Sequence, residues 1–283
     1  MNKGREPPEL DEPCRPEREV PLLGGIANRG NVVRIGETVH RPQRSWSAAT
    51  HALLLHLEAV GFEGAPRFLG VDSREREVLS YIPGTAVVEP YPDWALTDEA
   101  LVSAAKLLRA YHDAVSTFDP SPYSWAPPPP EEFAGDLVTH NDMKIDNVVF
   151  RDGRVVGLID FDLAGPASQA WDVACAARLW APLRPDIHIS DTRRHRKFER
   201  FRLLVDSYGT NDSDRVKVAE AVGQNYEWFY DLIKTSAASG HAAFAELWSV
   251  KTWPRARLTK RWHAENKPNL RNALGIRLPG QSF

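Results

Sequence analysis

Two short apolar runs in the middle of the chain, residues 147–150 and 155–159, are separated by the tetrapeptide Arg-Asp-Gly-Arg. An Asp-Gly pair between two strand-like runs is a strong signal for a β-hairpin with a two-residue turn. A polar loop leads into the first run, and an aspartate, Asp160, follows the second. Since the open ends of a hairpin lie side by side, the sequence predicts that the polar loop and Asp160 meet at one end of a two-stranded ribbon.

The chain before this hairpin shows a pattern typical of a small antiparallel sheet. Three strand-like runs lie between residues 20 and 42 and are broken by Gly-Gly, Asn-Arg-Gly-Asn and Gly-Glu. Residues 45–60 carry apolar side chains at helical spacing, and residues 67–71 and 77–82 supply two more strands. A Pro-Gly pair then ends the last strand. The pattern therefore predicts five strands and one helix in this region.

Helical patterns dominate the remaining chain. Residues 96–115 repeat apolar side chains every three or four positions, and Thr97 precedes two acidic residues as a candidate helix cap. A proline-rich stretch at residues 119–130 is expected to form a stiff connection. Further helices are expected from residue 169 and over residues 193–208, 212–234 and 240–265. The sequence thus predicts an α+β fold.

Composition narrows the class of protein. A chain of 283 residues with 42% hydrophobic content can bury a sizeable core. No run approaches the roughly 20 apolar residues that cross a bilayer, so no membrane partner is expected. Two cysteines, Cys14 and Cys175, are too few for a disulfide framework and favour a cytoplasmic location. Residues 1–19 combine prolines with alternating charges and are predicted to be a disordered tail.

The formal net charge of −3 hides an acidic first part and a basic last third. The basic residues are spread along amphipathic helices, with one dense cluster at residues 193–202. Because such spacing is more typical of a solvated helix face than of a nucleic-acid site, no nucleic-acid partner is predicted.

The polar loop before the hairpin carries the candidate chemistry. Asp142 and Asn147 are separated by four residues, and Asp160 follows the second strand. Mg²⁺ prefers carboxylate and amide oxygens, and an attacking hydroxyl group needs a nearby base. This set of side chains at one end of a ribbon is therefore a candidate site for metal-assisted phosphate transfer.

Two strings extend this interpretation to a family. The strings H-N-D-M-K-I-D-N at residues 140–147 and I-D-F-D at residues 159–162 resemble the catalytic-loop and metal motifs of the aminoglycoside phosphotransferase and choline-kinase branch of the protein-kinase-like fold. Residues 22–172 are also similar to its subset of trifolitoxin-immunity-type phosphotransferases. The resemblance implies ATP or GTP and Mg²⁺ as cofactors.

The same resemblance implies a bilobal fold. A small antiparallel β-sheet lobe with one helix, residues 20–82, would bind the nucleotide. A larger, mainly helical lobe, residues 83–283, would hold the catalytic loop at residues 138–162 and the acceptor site in its late helices. A monomer or homodimer is expected.

By this resemblance, Asp142 is the catalytic base, and Asn147 and Asp160 are metal ligands. Lys144 stands where protein kinases carry a lysine that reaches the transferred phosphate, with a solvated loop lysine as an equal alternative. Asp162 either assists the metal, contacts substrate or accepts backbone hydrogen bonds.

Two more residues have implied supporting roles. His140 would support the catalytic loop. Asp172 would brace the same loop, and as a carboxylate in the first turn of a helix it also suits the helix dipole.

The nucleotide is implied to lie against the small lobe. Gly25 belongs to a glycine-rich turn where backbone amides can approach phosphates. Arg41 takes the place of the usual lysine on the third strand, unless it is an edge residue before a proline, and Val39 shares its strand face. Main-chain groups around Ser80 and Ile82 would bind adenine at the hinge.

Two features remain open in the sequence. The family helix normally supplies a glutamate to the strand cation, but here Glu58 lies near the end of the helix, so that pairing is in doubt. The acceptor contacts are placed on one late helix, although an aromatic stripe is more often core than binding site. These candidates are Asn225, Tyr226, Glu227 and Tyr230.

Two hypotheses follow. The first is a kinase that moves the γ-phosphate of a nucleoside triphosphate to a hydroxyl group of a small molecule, such as an antibiotic or related natural product. The alternative is a non-catalytic nucleotide-binding immunity protein that sequesters its ligand. A protein kinase is disfavoured because no long activation segment or A-P-E motif follows Asp160.

Overall fold

The computed structural model describes residues 18–22, 31–240 and 242–276. Gly25 and most of the predicted tail lie outside the described residues, so the expectations for them stay predictions.

The first part of the chain forms a five-stranded antiparallel sheet in the order β1-β2-β3-β5-β4. Its strands are β1 (Val20–Pro21), β2 (Val33–Ile35), β3 (Thr38–Pro42), β4 (Phe68–Val71) and β5 (Arg76–Ser80). Helix α1 (Ser47–Ala59) connects β3 to β4 and buries its leucines at positions 53, 54 and 57. The predicted antiparallel sheet with one helix is confirmed.

A short link joins this small lobe to the helical lobe. Thr85 and Phe150 exchange two backbone hydrogen bonds of 2.8 and 2.9 Å, which fix the link to the hairpin strand that contains Phe150. Gly84 precedes this bridge at φ +154°, and an added Cβ would lie 2.5 Å from the carbonyl oxygen of Phe150. The link therefore requires glycine for both backbone conformation and space.

We expect Gly84→Ala to destabilise the protein, because it adds a backbone clash to a conformation that costs about 1–3 kcal/mol for an L residue. Gly153→Ala is the matched control, since Gly153 has φ +74° but no atom within 4 Å of an added Cβ. Urea unfolding of both variants measures the difference. Equal losses would mean that the close approach at the link contributes nothing.

The helical lobe begins with α2 (Asp98–Val115), which Thr97 caps by accepting a hydrogen bond from the amide of Ala100 at 3.2 Å. The cap at Thr97 is confirmed, and the helix starts two residues later than predicted. Two antiparallel ribbons follow, β6 (Leu137–Thr139) with β9 (Gly165–Ala167), and β7 (Val148–Arg151) with β8 (Arg154–Leu158).

The predicted hairpin is confirmed in β7 and β8. Its turn residues Asp152 and Gly153 have φ values of +50° and +74°, the positive values that a two-residue turn of this kind requires.

The remaining helices are α3 (Gln169–Trp180), α4 (Lys197–Tyr208), α5 (Asp212–Ala238), α6 (Ala242–Glu246) and α7 (Trp253–Ala273). α3 packs on α5, and α2 packs on α4 around a core that includes Tyr111, Trp171 and Trp180. Within the described ranges, no helix combines the length and the apolar character that crossing a membrane requires.

Residues 242–265 are helical, as predicted, but they do not form a regular α-helix throughout. A π-helical segment, Leu247–Thr252, separates α6 from α7. Pro254 lies in the first turn of α7, where its missing N–H leaves the preceding turn without a regular α-helical hydrogen bond.

Candidate active site

The loop between β6 and β7 places the predicted base and one predicted metal ligand in direct contact. The Nδ2 group of Asn147 donates to the Oδ2 atom of Asp142 at 2.8 Å and to its carbonyl oxygen at 2.9 Å. Both residues are buried, and Asn141 just before the base adopts φ +63°. Asn147 therefore holds Asp142 through its Nδ2 group. The Oδ1 atom of Asn147 is the oxygen that could bind a metal.

Asp160 stands at the end of the second hairpin strand, as predicted, with φ +65°. Burial raises the pKa of Asp142, and the negative charge of Asp160 adds to that rise, so the two carboxylates share one electrostatic environment. Asp160 supplies a carboxylate and Asn147 an amide oxygen, both hard donors that suit Mg²⁺.

Lys144 lies beside Asp142 in the same loop. Its Nζ atom is 3.5 Å from the Oδ2 atom of Asp142, and the negative charge of Asp142 raises the pKa of Lys144 to about 12. Lys144 is therefore a cation beside the candidate base. This placement favours a phosphate-directed lysine over a freely solvated one.

Arg41 is a buried cation that connects the two lobes. Its Nε atom donates to Glu77 on β5, its Nη1 atom to Asp160 at 3.1 Å, and its Nη2 atom to Asp162. Burial disfavours its charge, but these three carboxylates raise the pKa of Arg41 above its usual value. The alternative of an edge residue before Pro42 is therefore excluded.

Glu77 is the residue that sequence reasoning missed. The β3–β5 register sets it directly opposite Arg41, and its carboxylate also bonds to the Nε2 atom of His51 on α1 at 2.7 Å. Burial alone would raise the pKa of Glu77, but the bonds to His51 and Arg41 lower it. Glu58 on α1 is exposed, so the strand, not the helix, supplies the glutamate for the strand cation.

Asp162 ties the small lobe to the metal loop. Its carboxylate pairs with Arg41 and with the Nε atom of Arg44 at 3.3 Å, and its carbonyl oxygen accepts from Trp46 at 2.8 Å. These contacts place Asp162 between the lobes, beside the start of α1, and its predicted substrate role stays a prediction.

Asp172 on α3 holds the start of the loop that contains Asp142. Its two carboxylate oxygens accept from the backbone amides of His140 and Asn141, each at 2.8 Å. The Nε2 atom of His112 lies 3.0 Å from the same carboxylate, and its Nδ1 atom lies 2.7 Å from the Tyr208 hydroxyl. The predicted brace is observed, and His112 belongs to it.

The acidic sensitivity of the fold is expected to depend on this brace. Burial opposes the charge of Asp172, but its hydrogen bonds to His112 and the loop lower its pKa. A carboxyl group with a lowered folded pKa stabilises the protein above its unfolded pKa and loses that contribution as pH falls through the folded value.

We therefore expect Asp172→Asn to lower the free energy of unfolding at pH 7 by at least the roughly 1.5–3 kcal/mol of one charge-assisted hydrogen bond. Its stability should also fall less between about pH 5 and pH 3 than that of the wild type. Denaturant unfolding across this pH range measures both. Parallel stability curves for the two proteins would contradict the brace.

The hinge candidates differ in whether their backbone groups already form hydrogen bonds within the protein. The Ser80 amide donates to the Arg67 carbonyl at 2.9 Å, and the Tyr81 amide donates to the Glu37 carbonyl at 2.8 Å. The sheet therefore uses the Ser80 N–H, and the prediction that main-chain groups around Ser80 and Ile82 bind adenine stays a prediction. Ile82 packs beside Gly157 just after the sheet ends and keeps its candidate role. Val39 is half-buried on β3.

The acceptor candidates on α5 fall into two groups. Asn225 and Tyr226 are buried, and both bond to Arg178 of α3: Asn225 accepts from its Nε atom, and the Tyr226 hydroxyl donates to its carbonyl oxygen at 3.1 Å. Glu227 is exposed and pairs with Lys260 at 3.0 Å.

Tyr230 is half-buried and donates to the Thr259 hydroxyl at 3.3 Å. The side chains of Asn225 and Tyr226 thus support Arg178, and only Glu227 and Tyr230 reach toward solvent. Arg178 itself was not predicted as a functional residue, although an arginine within the apolar run A-C-A-A-R-L-W is a sequence signal for a buried polar site.

Comparisons with known proteins show which family the chain resembles. A model of the phosphotransferase enzyme family (APH) matches residues 124–203. The trifolitoxin immunity protein of Rhizobium leguminosarum bv. trifolii is 36% identical over 213 residues, which cover 70% of this chain and 76% of that protein.

Solved structures share the fold. A choline/ethanolamine kinase family protein from Mesorhizobium loti has a TM-score of 0.61 at 14% identity, covering 92% of each chain. The GDP complex of aminoglycoside 2′-phosphotransferase-IIIa has a TM-score of 0.56 at 13% identity, covering 90% of this chain and 94% of that one. A macrolide 2′-phosphotransferase from Brachybacterium faecium has a TM-score of 0.54 at 15% identity, covering 87% and 95%.

Proposed function

The chain belongs to the phosphotransferase family of aminoglycoside phosphotransferases and choline kinases, together with the trifolitoxin immunity protein, and we propose that it is a small-molecule kinase. It would move the γ-phosphate of ATP or GTP to a hydroxyl group of an antibiotic or related natural product. We further propose that it acts in the cytoplasm as a monomer or homodimer, with the nucleotide between residues 20–82 and the helical lobe.

The contact between Asp142 and Asn147 carries this proposal. A catalytic base must be held in place while keeping an oxygen available, and two bonds from Asn147 do this for Asp142. Burial raises the pKa of Asp142, while the charge of Lys144 works against the rise and favours the carboxylate. Asp142 would accept the hydroxyl proton, and Lys144 would steady the negative charge on the transferred phosphate.

The metal and nucleotide contacts complete the proposed roles. Asn147 and Asp160 would hold Mg²⁺, which neutralises phosphate charge when bound. Arg41 would bind the nucleotide phosphates through the planar donor fork of its guanidinium group, which suits phosphate oxygens. Glu77 positions Arg41 for this task. His51 positions Glu77 in turn, and so links α1 to the phosphate contacts.

A second candidate function rests on Arg41. Its guanidinium group is already bonded to Glu77, Asp160 and Asp162, which include a proposed metal ligand. If those bonds persisted with nucleotide bound, the protein would hold its ligands without transferring phosphate. The name of the trifolitoxin immunity protein suits either function, because immunity can come from modification or from sequestration.

Product analysis separates the two. The protein is incubated with Mg²⁺ and either ATP or GTP against a panel of hydroxylated antibiotics, and phosphorylated acceptor is detected by mass spectrometry together with nucleoside diphosphate. The proposal expects both products in equal amounts for at least one acceptor. Nucleotide binding without any product, across the whole panel, would establish the sequestering function instead.

A further inference from the structure

Arg178 is a buried cation with no carboxylate at ion-pair distance among the described residues. It is 2% exposed and lies near the end of α3. Its Nε atom bonds to the neutral Asn225 side chain, and its Nη2 atom lies 4.0 Å from the Sγ atom of Cys175. A buried charge without an opposite charge is costly, so such a site favours an anion from outside the fold.

The side chains that contact Arg178 directly carry no negative charge. The rings of Tyr226 and Phe229 lie 5.0 and 4.8 Å from its guanidinium carbon, so they cover it with aromatic faces. Burial, aided by the charge of Arg178, lowers the pKa of His263 on α7 to about 4, so that imidazole is neutral at pH 7. The Nδ2 group of Asn225 is buried and has no partner, which leaves a second donor beside the cation.

The same place lies close to the catalytic loop. The Cys175 thiol beside Arg178 donates to the carbonyl oxygen of Asn141, the residue just before Asp142. An anion bound at Arg178 would therefore lie within the reach of a small molecule whose hydroxyl group meets Asp142.

Arg184 is a second cation in this part of the helical lobe. It follows α3, is half-buried, and uses its Nε atom to donate to the carbonyl oxygen of His188 at 3.2 Å. No described carboxylate lies at ion-pair distance from it. The amide of Leu183, the residue just before Arg184, donates to the carbonyl oxygen of Arg178 at 3.2 Å, which keeps the backbone of Arg184 close to that of Arg178. Burial raises the pKa of Tyr230, and the positive charges of both arginines act against this rise.

We propose that Arg178 and Arg184 form an anion-binding wall of the acceptor site, and that the hydroxyl compound phosphorylated by this protein carries a negative group such as a carboxylate. The identification of this wall with the acceptor site rests on the proposed kinase function. Two exposed acids lie on this part of α5: Glu227, which pairs with Lys260, and Asp231, which follows Tyr230. A polycationic acceptor would meet two unpaired arginines here, which disfavours it.

Three polyols of equal chain length test the charge preference directly: D-gluconate is anionic, D-glucitol neutral and D-glucamine cationic. Their binding to the full chain with Mg²⁺ and ADP is measured by calorimetry. We expect gluconate to bind about 10- to 100-fold more tightly than glucitol, the range for one charge-assisted hydrogen bond, and glucamine more weakly than both. Equal affinities, a preference for glucamine, or no binding of any of the three would overturn the proposal.

Substitutions of the two arginines test whether they cause the preference for gluconate. Arg178→Met should reduce gluconate affinity to that of glucitol, and Arg178→Lys should restore part of it, because lysine keeps the charge without the planar fork. Arg200→Met is the matched control, since Arg200 is also 2% exposed but pairs with Asp98 at 2.9 Å. Arg184→Met, at a half-buried position, provides a second test if Arg178→Met does not fold. A gluconate preference that survives in both wall variants would contradict the assignment.

Measuring nucleotide consumption with the same polyols tests the kinase function separately from the anion-binding wall. Arginine-dependent gluconate binding without phosphate transfer to any acceptor would refute the kinase function and leave an anion site. Phosphate transfer without a preference for the anionic compound would leave the kinase function and refute the wall.

Discussion

Asp142→Asn is expected to reduce the rate of phosphate transfer by about 10²- to 10⁴-fold, the usual contribution of a positioned general base. Asparagine keeps the size of the side chain and one oxygen, but it cannot accept the hydroxyl proton. It also removes the negative charge that faces Lys144 at 3.5 Å. The affinity for nucleotide should change little, because none of the proposed nucleotide contacts involves this carboxylate.

The measurement is steady-state phosphate transfer together with an independent nucleotide-binding titration. Asp146→Asn is the matched control, since it lies in the same loop and its carboxylate accepts a hydrogen bond from Tyr91 on the other side of the loop. Similar losses in both variants would mean that the loop, and not the base, limits the reaction. An unchanged rate in Asp142→Asn would remove Asp142 from its proposed role.

Arg41→Met should lower the free energy of unfolding by about 3–5 kcal/mol, the usual cost of removing one partner from a buried ion pair. Glu77 is 1% exposed and would remain charged beside a methionine, while Asp160 and Asp162 would repel each other without the cation between them. The same variant should raise the KM for nucleotide. Arg41→Lys should recover part of both losses, because a single ammonium group cannot reach all three carboxylates in the planar geometry of a guanidinium group.

Arg74→Met is the control for a general loss of arginine from this lobe. Its ion pair with Glu19 is exposed, with 66% of the Arg74 side chain accessible, so its removal should cost less than about 1 kcal/mol. Urea unfolding without nucleotide measures the stability of each variant separately from catalysis. A small loss in Arg41→Met would show that Glu77 and His51 hold the strand without the cation.

The parts of the site that the sequence predicted are those encoded by local spacing. Asp142 and Asn147 are five positions apart, and a hairpin with an Asp-Gly turn determines where Asp160 must return. Both signals act over a few residues, so they are largely independent of how the rest of the chain packs. The five-strand sheet and the cap at Thr97 were predictable for the same reason.

Glu77 was not predictable in this way. It meets Arg41 across 36 positions of sequence, through the register of β3 against β5, and α1 and β4 lie between them along the chain. A run of alternating residues shows which side chains share a face of a strand, but not which strand lies next to it. The sequence therefore showed a missing helix glutamate without showing its replacement.

Arg178 was not predicted as a functional residue for a related reason. The sequence pattern identified α3 and α5 as helices, but it does not show which residues of two packed helices meet. The contact of Asn225 and Tyr226 with Arg178 spans 47 and 48 positions. The prediction that these α5 residues line the acceptor site stays a prediction, and it overlooked the cation that they support.

The thiol beneath the catalytic loop has a practical consequence. Burial raises the pKa of Cys175 to about 12, and its hydrogen bond to Asn141 joins it to the segment that carries Asp142. A thiol-specific reagent can modify such a group only while this part of the molecule is transiently open. In a Cys14→Ser background, the labelling rate of Cys175 would thus measure how often the structure around the Asn141–Asp142 segment opens transiently, and no residue would have to be introduced for the purpose.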